Sequence, residues 1–321
     1  METIAVNPQA TISRIIDNVE KVIIGKRHAI ELATICLLSQ GHLLIEDAPG
    51  VGKTMLARSL ARTIQCTFKR IQFTPDMLPG DITGVSIYNQ KSGTFDFHPG
   101  PIMAQVVLAD EINRATPKVQ SALLECMEEH QLTVDGTTHF MPAPFHVLAT
   151  QNPIEFEGTF PLPETQLDRF MLRIDLGYPT ASDEVLIMER QQYVHPFLEL
   201  KPVVEAAEVL ALQEMVRRIY LDDLVKRYIA ALVEASRHHP SIYLGASPRA
   251  SLALFRSAQA RAMLQGRDFA SPDDIKALAE PVLAHRLVLV SSLQSQDRYA
   301  KSNVVRDILG RVPVPGAAPG R

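Results

Sequence analysis

The segment Asp47-Ala48-Pro49-Gly50-Val51-Gly52-Lys53-Thr54 constrains this chain more than any other stretch of its sequence. It is preceded by a short apolar run, His42 to Glu46 (HLLIE), and followed by a helical segment from Lys53 to Ile64. A glycine-rich turn between a buried strand and a helix gathers backbone N–H groups and the positive helix end at one point, which suits phosphate oxygens. Gly50 and Gly52 let the chain close around those oxygens, Lys53 reaches the β and γ phosphates, and Thr54 ligates magnesium. Ala48, Pro49, Val51 and Met55 complete the expected binding segment. The full pattern has glycine where Asp47 stands, but PGVGKT is intact. The implied class is a phosphate-loop nucleoside triphosphatase using ATP and Mg2+.

The strand, loop and helix at Asp47 belong to a longer α/β alternation. Apolar residues recur at helical spacing from Thr11 to Gln40 with a break at Val22 to Gly25, which predicts two helices around a VIIG turn, the second closed by Gly41. Further strands are expected at Thr67 to Phe73, Gln105 to Asp110, Phe145 to Thr150 and Phe170 to Leu176, so the sheet should be mostly parallel. Thr116-Pro117 opens a helix through LLECMEE. Two hairpins interrupt the alternation. One lies between Pro79 and Pro101 around a KSG turn; the other spans Gln131 to Phe140 around Asp135-Gly136.

Beyond Pro179 the strand signals fade and helical periodicity continues to about Leu309, as in Leu224, Ile229, Leu232 and Val233. Ser247-Pro248 and Ser271-Pro272 mark helix starts, Gly266 ends the first of these helices, and Asp273 and Asp274 oppose the dipole of the second. The expected organisation is a nucleotide-binding domain over 1–179, a helical domain over 180–311, and an unstructured Pro/Gly-rich tail over 312–321.

The run VVLADE carries Asp110 and Glu111 to the end of an apolar strand, and so to the sheet edge beside the phosphate loop. There Asp110 would hold magnesium through water and Glu111 would polarise the attacking water as general base. Composition narrows the partners. With Lys+Arg 32 against Asp+Glu 36, the net charge of −4 offers no basic field for a polyanion, and a chain without Trp has little to stack on bases. Nucleic acid is therefore not an expected partner. A secretory leader and a membrane span are also not read, so direct membrane insertion is not expected and the expected compartment is the cytoplasm. Cys36, Cys66 and Cys126 lack CxxC spacing and read as small buried hydrophobes, while the adjacent His238-His239 pair makes a poor metal site.

PGVGKT, LADEINRATPKVQSALLECMEE, ATQNP and LPETQLDRF, in this order, resemble the AAA+ ATPases of the MoxR type from about Gly25 to Arg286. The resemblance implies an αβα sandwich with a parallel sheet and a C-terminal all-helical lid, with hairpins inserted in helix two and before the first sensor. It makes Asn152 the first sensor beside Glu111, Arg169 the arginine finger reaching a neighbouring subunit's γ-phosphate, and Arg249 the second sensor offered from the lid. Ile24 and Gly25 would line the adenine pocket. Gln72 would hold Glu111 in an inactive pose, or be a half-exposed strand polar, and Arg114 would make another cross-subunit phosphate contact or pair with a nearby acid. It further implies a hexameric ring and a chaperone-like role on protein clients, with a von Willebrand factor A domain partner. A nucleic-acid motor or a nucleotide-switched scaffold would share the same core.

Overall fold

The computed structural model describes residues 7–152, 158–290 and 299–315. Two helices, α1 (Pro8–Glu20) and α2 (Arg27–Leu38), lead into β1 (Leu43–Glu46), the phosphate-loop turn and α3 (Lys53–Thr63). Next come β2 (Phe68–Gln72), the short α4 (Pro79–Thr83), the hairpin β3 (Gly84–Asn89) and β4 (Thr94–Pro99), and β5 (Val106–Asp110). Helix α5 (Pro117–Glu129), the hairpin β6 (Gln131–Val134) and β7 (Thr137–Phe140), β8 (His146–Gln151), α6 (Glu164–Leu167) and β9 (Leu172–Ile174) follow.

The central sheet has the order β2-β5-β8-β1-β9, and all of its pairings are parallel. Alternate residues of each strand face opposite sides, and both sides are apolar. Leu43, Ile45, Val106, Leu108, Leu148 and Leu172 join the core beneath α1, α2 and α3. Leu44, Val107, Ala109, Val147 and Ala149 join the core beneath α4 and α5. That is the expected sandwich. Both hairpins form where expected, and Asp135 and Gly136 take the left-handed conformations that a tight two-residue turn demands.

The α2 terminus differs from expectation. Gln40 at φ 57 takes the left-handed position, and the N–H of Gly41 closes onto the carbonyl of Cys36. Glycine is needed at 41 for space instead, because a Cβ there would lie 2.5 Å from the Met171 side chain. Polar Gln40 tolerates the strained turn because it is anchored on both sides: its amide donates to Gln213 at 3.3 Å and its carbonyl accepts from Arg217 at 2.6 Å.

From α7 (Ala181–Gln191) onward the chain is predominantly helical, through α8 (Pro196–Glu199), α9 (Ala206–Val216), α10 (Asp223–Arg237), α11 (Pro248–Leu264), α12 (Pro272–Leu283) and α13 (Ala300–Arg311). It is not purely so. Short strands pair as β10 (Tyr220–Leu221) with β12 (Phe269–Ala270) and β11 (Ile242–Leu244) with β13 (Val288–Leu289). The Ser247 hydroxyl caps α11 by accepting from the N–H of Arg249, and Gly266 at φ +73 ends that helix. Asp274 does more than oppose a dipole: fully buried, it accepts from Ser271 N–H and pairs with Arg261 and Arg267. Ile12, Ile15, Ala33 and Leu37 of α1 and α2 share one core with Leu254, Ala258 and Leu278 of the helical region. The helical region is therefore fixed against the α1–α2 side of the sheet. Of the expected tail, residues 312–315 carry no helix or strand and the rest lies outside the described residues.

Candidate functional site

Parallel strands bring all their carboxyl ends to one edge of the sheet, and four expected site segments meet there. The phosphate loop follows β1, Gln72 ends β2, Asp110 and Glu111 end β5, and Gln151-Asn152 end β8. Gly50 and Gly52 have φ of +84° and +99°, and nothing lies within 4 Å of a Cβ built on either. The loop is thus an open cradle at the start of α3, the geometry a phosphate group fits. Lys53 reaches back across it, donating to the Asp47 carbonyl at 2.6 Å. Burial pulls its ammonium below the ordinary range, while the carboxylates of Asp47, Asp110 and Glu111 oppose the shift.

Asp47 occupies the place of the pattern's first glycine for a reason that lies outside the motif. Its side chain is buried, and Oδ1 accepts from the Ala48 N–H at 2.8 Å. Oδ2 accepts from the N–H groups of Leu176 and Gly177 at 2.8 and 2.6 Å. The carboxylate therefore pins the loop to the chain leaving β9. The Ile24-Gly25 turn approaches the same segment: Lys26 donates to the Tyr178 carbonyl at 2.8 Å, and Gly25 lies against Asp183 at the start of α7.

The acidic pair is embedded in a network. Asp110 Oδ1 accepts from the Thr150 hydroxyl at 2.6 Å, and that hydroxyl accepts from the Glu111 N–H at 2.8 Å. Arg70 donates to Asp110 Oδ2 from Nε at 2.9 Å and from Nη2 at 2.6 Å. Gln72 donates to Glu111 Oε2 at 2.8 Å, and Arg114 pairs with the same oxygen at 3.0 Å. Gln72 is exposed at the end of β2, as a strand polar would be, and it also contacts Glu111. Arg114 pairs within its own chain. Glu111 holds a left-handed conformation, φ 58° and ψ 50°, which costs a non-glycine residue about 1–2 kcal/mol. Asn152 is buried beside them at the end of β8; Pro153 lies outside the described residues.

Among the described residues, no group of three or more His, Cys, Asp or Glu side chains converges to hold a metal ion. Thr54, in the first turn of α3, and Asp110 are the residues that would hold magnesium as partial ligands, the other positions falling to phosphate and water, which is that ion's habit.

Arg169 and Arg249 lie elsewhere. Both pair with Glu128, Arg169 through Nε at 3.1 Å and Arg249 through Nη2. Glu128 is in the last turn of α5, next to Met127, whose carbonyl bonds His42 Nε2 at 3.0 Å just before β1. The His42 carbonyl accepts from Met171 N–H just before β9. These contacts put both arginines at the amino edge of the sheet. Strands of about five residues at roughly 3.3 Å each separate that edge from the phosphate loop by roughly 15 Å. A 230 Å³ cleft there is lined by Glu128, Asp168, Arg169, Arg249, Arg256 and Arg286. Beneath it, buried Arg286 pairs with Asp168 at 2.9 Å, and Asp168 also accepts from the Ser247 hydroxyl at 2.7 Å. One carboxylate thus ties the segment bearing Arg169 to the helix start bearing Arg249. Glu128, Thr150 and Asp168 lie inside the quoted segments without being singled out there, and Arg70 and Arg286 lie outside them; the alternation of Arg70 with Gln72 on one strand face was the only hint of Arg70.

A profile described as "ATPase family associated with various cellular activities (AAA)" matches residues 42–172, and one described as an AAA lid domain matches residues 234–308. The chain is 41% identical over 314 residues to Chaperone MoxR1 of Mycobacterium tuberculosis, covering 95% of this chain and 82% of that one. It belongs to the MoxR-type AAA+ ATPases. It is also 49% identical over 304 residues to YeaC, an uncharacterised protein of Bacillus subtilis, with 95% of each covered. Protein MoxR of Methylorubrum extorquens is 30% identical over 322 residues, covering 92% of this chain and 93% of that one. A crystal structure of a protein from Cytophaga hutchinsonii, assigned as an ATPase, superposes with a TM-score of 0.88 at 39% identity, covering 96% of both chains. Among the described residues of this MoxR-type chain, no helix is long and apolar enough to cross a membrane.

Proposed function

We propose that this chain hydrolyses ATP at sites shared between neighbouring copies, and uses the turnover to remodel protein complexes. The observation that carries this reading is the division of the expected site between opposite sheet edges. Each copy offers the phosphate loop, Asp110, Glu111 and Asn152 on its carboxyl edge, and Arg169 with Arg249 on its amino edge. Neither arginine can reach the phosphate loop of its own chain, so each serves the nucleotide of a neighbour. A head-to-tail contact that repeats this pairing closes into a ring, and a hexamer is the ring we favour.

In this scheme Lys53 and the loop amides bind the triphosphate, and Thr54 and Asp110 hold the magnesium ion, which would neutralise phosphate charge. Ile24 and Gly25 flank the adenine. Asn152 orients water, and Glu111 takes its proton. Arg169 and Arg249 offset the charge that develops on the γ-phosphate, an effect worth roughly 10³ to 10⁵ in turnover for an arginine supplied in trans. The two hairpins present the client-facing surface: Tyr88, Phe95 and Phe140 are 54%, 71% and 75% exposed, more apolar surface than solvent contact alone favours. The chaperone name of one relative supports a protein client. A von Willebrand factor A domain partner and a cytoplasmic location complete the proposal.

The test is phosphate release across a range of protein concentrations. Specific activity should climb as copies assemble. Glu111→Gln should bind ATP normally, lose turnover, and retain clients for identification. Specific activity independent of concentration from monomer to assembly would overturn the shared site.

A further inference from the structure

We propose that Arg70 is a tethered counter-cation which pairs with the Asp110 carboxylate in competition with magnesium and, through Gln72, restrains Glu111. The assignment rests on the shared ATP site proposed above.

Three features of the geometry carry it. First, both Asp110 oxygens are engaged within the chain: Thr150 takes Oδ1, and two guanidinium nitrogens of Arg70 converge on Oδ2. With 10% of its side chain exposed, Asp110 offers little surface to a second cation while Arg70 stays. Second, Arg70 leaves at small cost. It lies on β2 at the edge of the sheet, with 48% of its side chain already in solvent. Third, the contact continues beyond Asp110. The Nη2 that binds Asp110 also donates to Gln72 Oε1 at 2.5 Å, and the Gln72 amide nitrogen donates to Glu111 Oε2 at 2.8 Å.

The consequence is a linkage between two carboxylates with separate tasks. Asp110 cannot give Oδ2 to a magnesium ion until Arg70 withdraws. Once Arg70 withdraws, Gln72 loses the donor that fixes its amide, and its hold on Glu111 weakens. The Gln72 part of the restraint on Glu111 is then lifted only when the magnesium aspartate is engaged by its proper cation, while the Arg114 pair on the same oxygen stays, and this discourages turnover on incomplete substrate. Arg70 is a positioning residue in this account: it acts through Asp110 and Gln72 and touches no reacting atom.

The competition is measurable without turnover. Binding of a fluorescent ATP analogue to the full chain is followed by anisotropy while free Mg2+ is varied, with a parallel titration in EDTA. Removing a part-exposed ion pair should lower the Mg2+ concentration at half-saturation by about fivefold in Arg70→Ala. Arg70→Lys, which restores charge without the two-nitrogen grip, should fall between the two. Gln72→Ala should keep the wild-type Mg2+ requirement, because the Arg70–Asp110 pair survives. Affinity in EDTA should not move. An unchanged or higher Mg2+ requirement in Arg70→Ala, with normal affinity in EDTA, overturns the assignment of Arg70 alone. Failure of the wild-type chain to bind the analogue at all would overturn the ATP site and this inference with it.

Discussion

Restoring glycine at position 47 would complete the phosphate-loop pattern, and the structure predicts that it would damage the protein. The buried Asp47 carboxylate accepts three N–H groups, from Ala48, Leu176 and Gly177, at 2.8, 2.8 and 2.6 Å. Those of Ala48 and Leu176 are buried, whereas Gly177 is partly reached by solvent and can recruit water. Each buried donor left without a partner costs about 1–3 kcal/mol, and an added glycine costs about 0.5–1 kcal/mol in chain entropy. Asp47→Gly should therefore lose about 2.5–7 kcal/mol, a large share of the roughly 5–15 kcal/mol that holds an ordinary domain. Asp47→Asn, which keeps one acceptor oxygen, should lose less. Urea denaturation gives the stability, and nucleotide titration gives the functional effect: a loop no longer tied to β9 should bind ATP about tenfold more weakly, through poorer preorganisation. Unchanged stability, or tighter ATP binding in Asp47→Gly, would refute the assignment of this carboxylate as a strut.

Two further outcomes follow from other contacts. Glu128 neutralises Arg169 and Arg249 within one chain, so Glu128→Gln should free both for a neighbour; half-maximal specific activity should come at about two- to fivefold lower protein concentration, given the modest strength of part-exposed pairs. A requirement for more protein would show that Glu128 presents the arginines instead of sequestering them. Acid sensitivity should come from the buried histidines: desolvation holds His42 near a pKa of about 3 and His146 near about 4, each below the 6.5 of the unfolded chain. Because the unfolded chain takes up protons that the fold refuses, stability is whole above about pH 6.5 and falls below it by about 1.4 kcal/mol per pH unit for each histidine. His42→Asn should flatten that slope in urea melts, and an equal slope would remove His42 from the account.

What the sequence made legible was whatever repeats or sits in a motif. Apolar strands such as VVLAD and HVLAT announced themselves because both sheet faces are buried, and the glycines of the phosphate loop have no other use in that order. Element ends were less legible: β9 keeps only Leu172–Ile174 of the expected Phe170 to Leu176, since the chain bends away where Gly177 binds Asp47. The partners of charged residues could not be read, because an ion pair leaves no periodic trace. Arg249 meets Glu128 across 121 residues, and Asp47 meets Gly177 across 130. For the same reason the sequence named Arg169 and Arg249 without showing that they share one acid and one edge.

The central claim is that each ATP site is built from two copies, and subunit mixing tests it most directly. Glu111→Gln and Arg169→Ala should each be nearly inactive alone. Mixed in equal amounts and allowed to exchange, they should recover up to about a quarter of wild-type activity, the share of head-to-tail interfaces that pair an intact Glu111 with an intact Arg169. If mixed rings form and activity stays at the level of the separate variants, the site is not shared and the account is wrong.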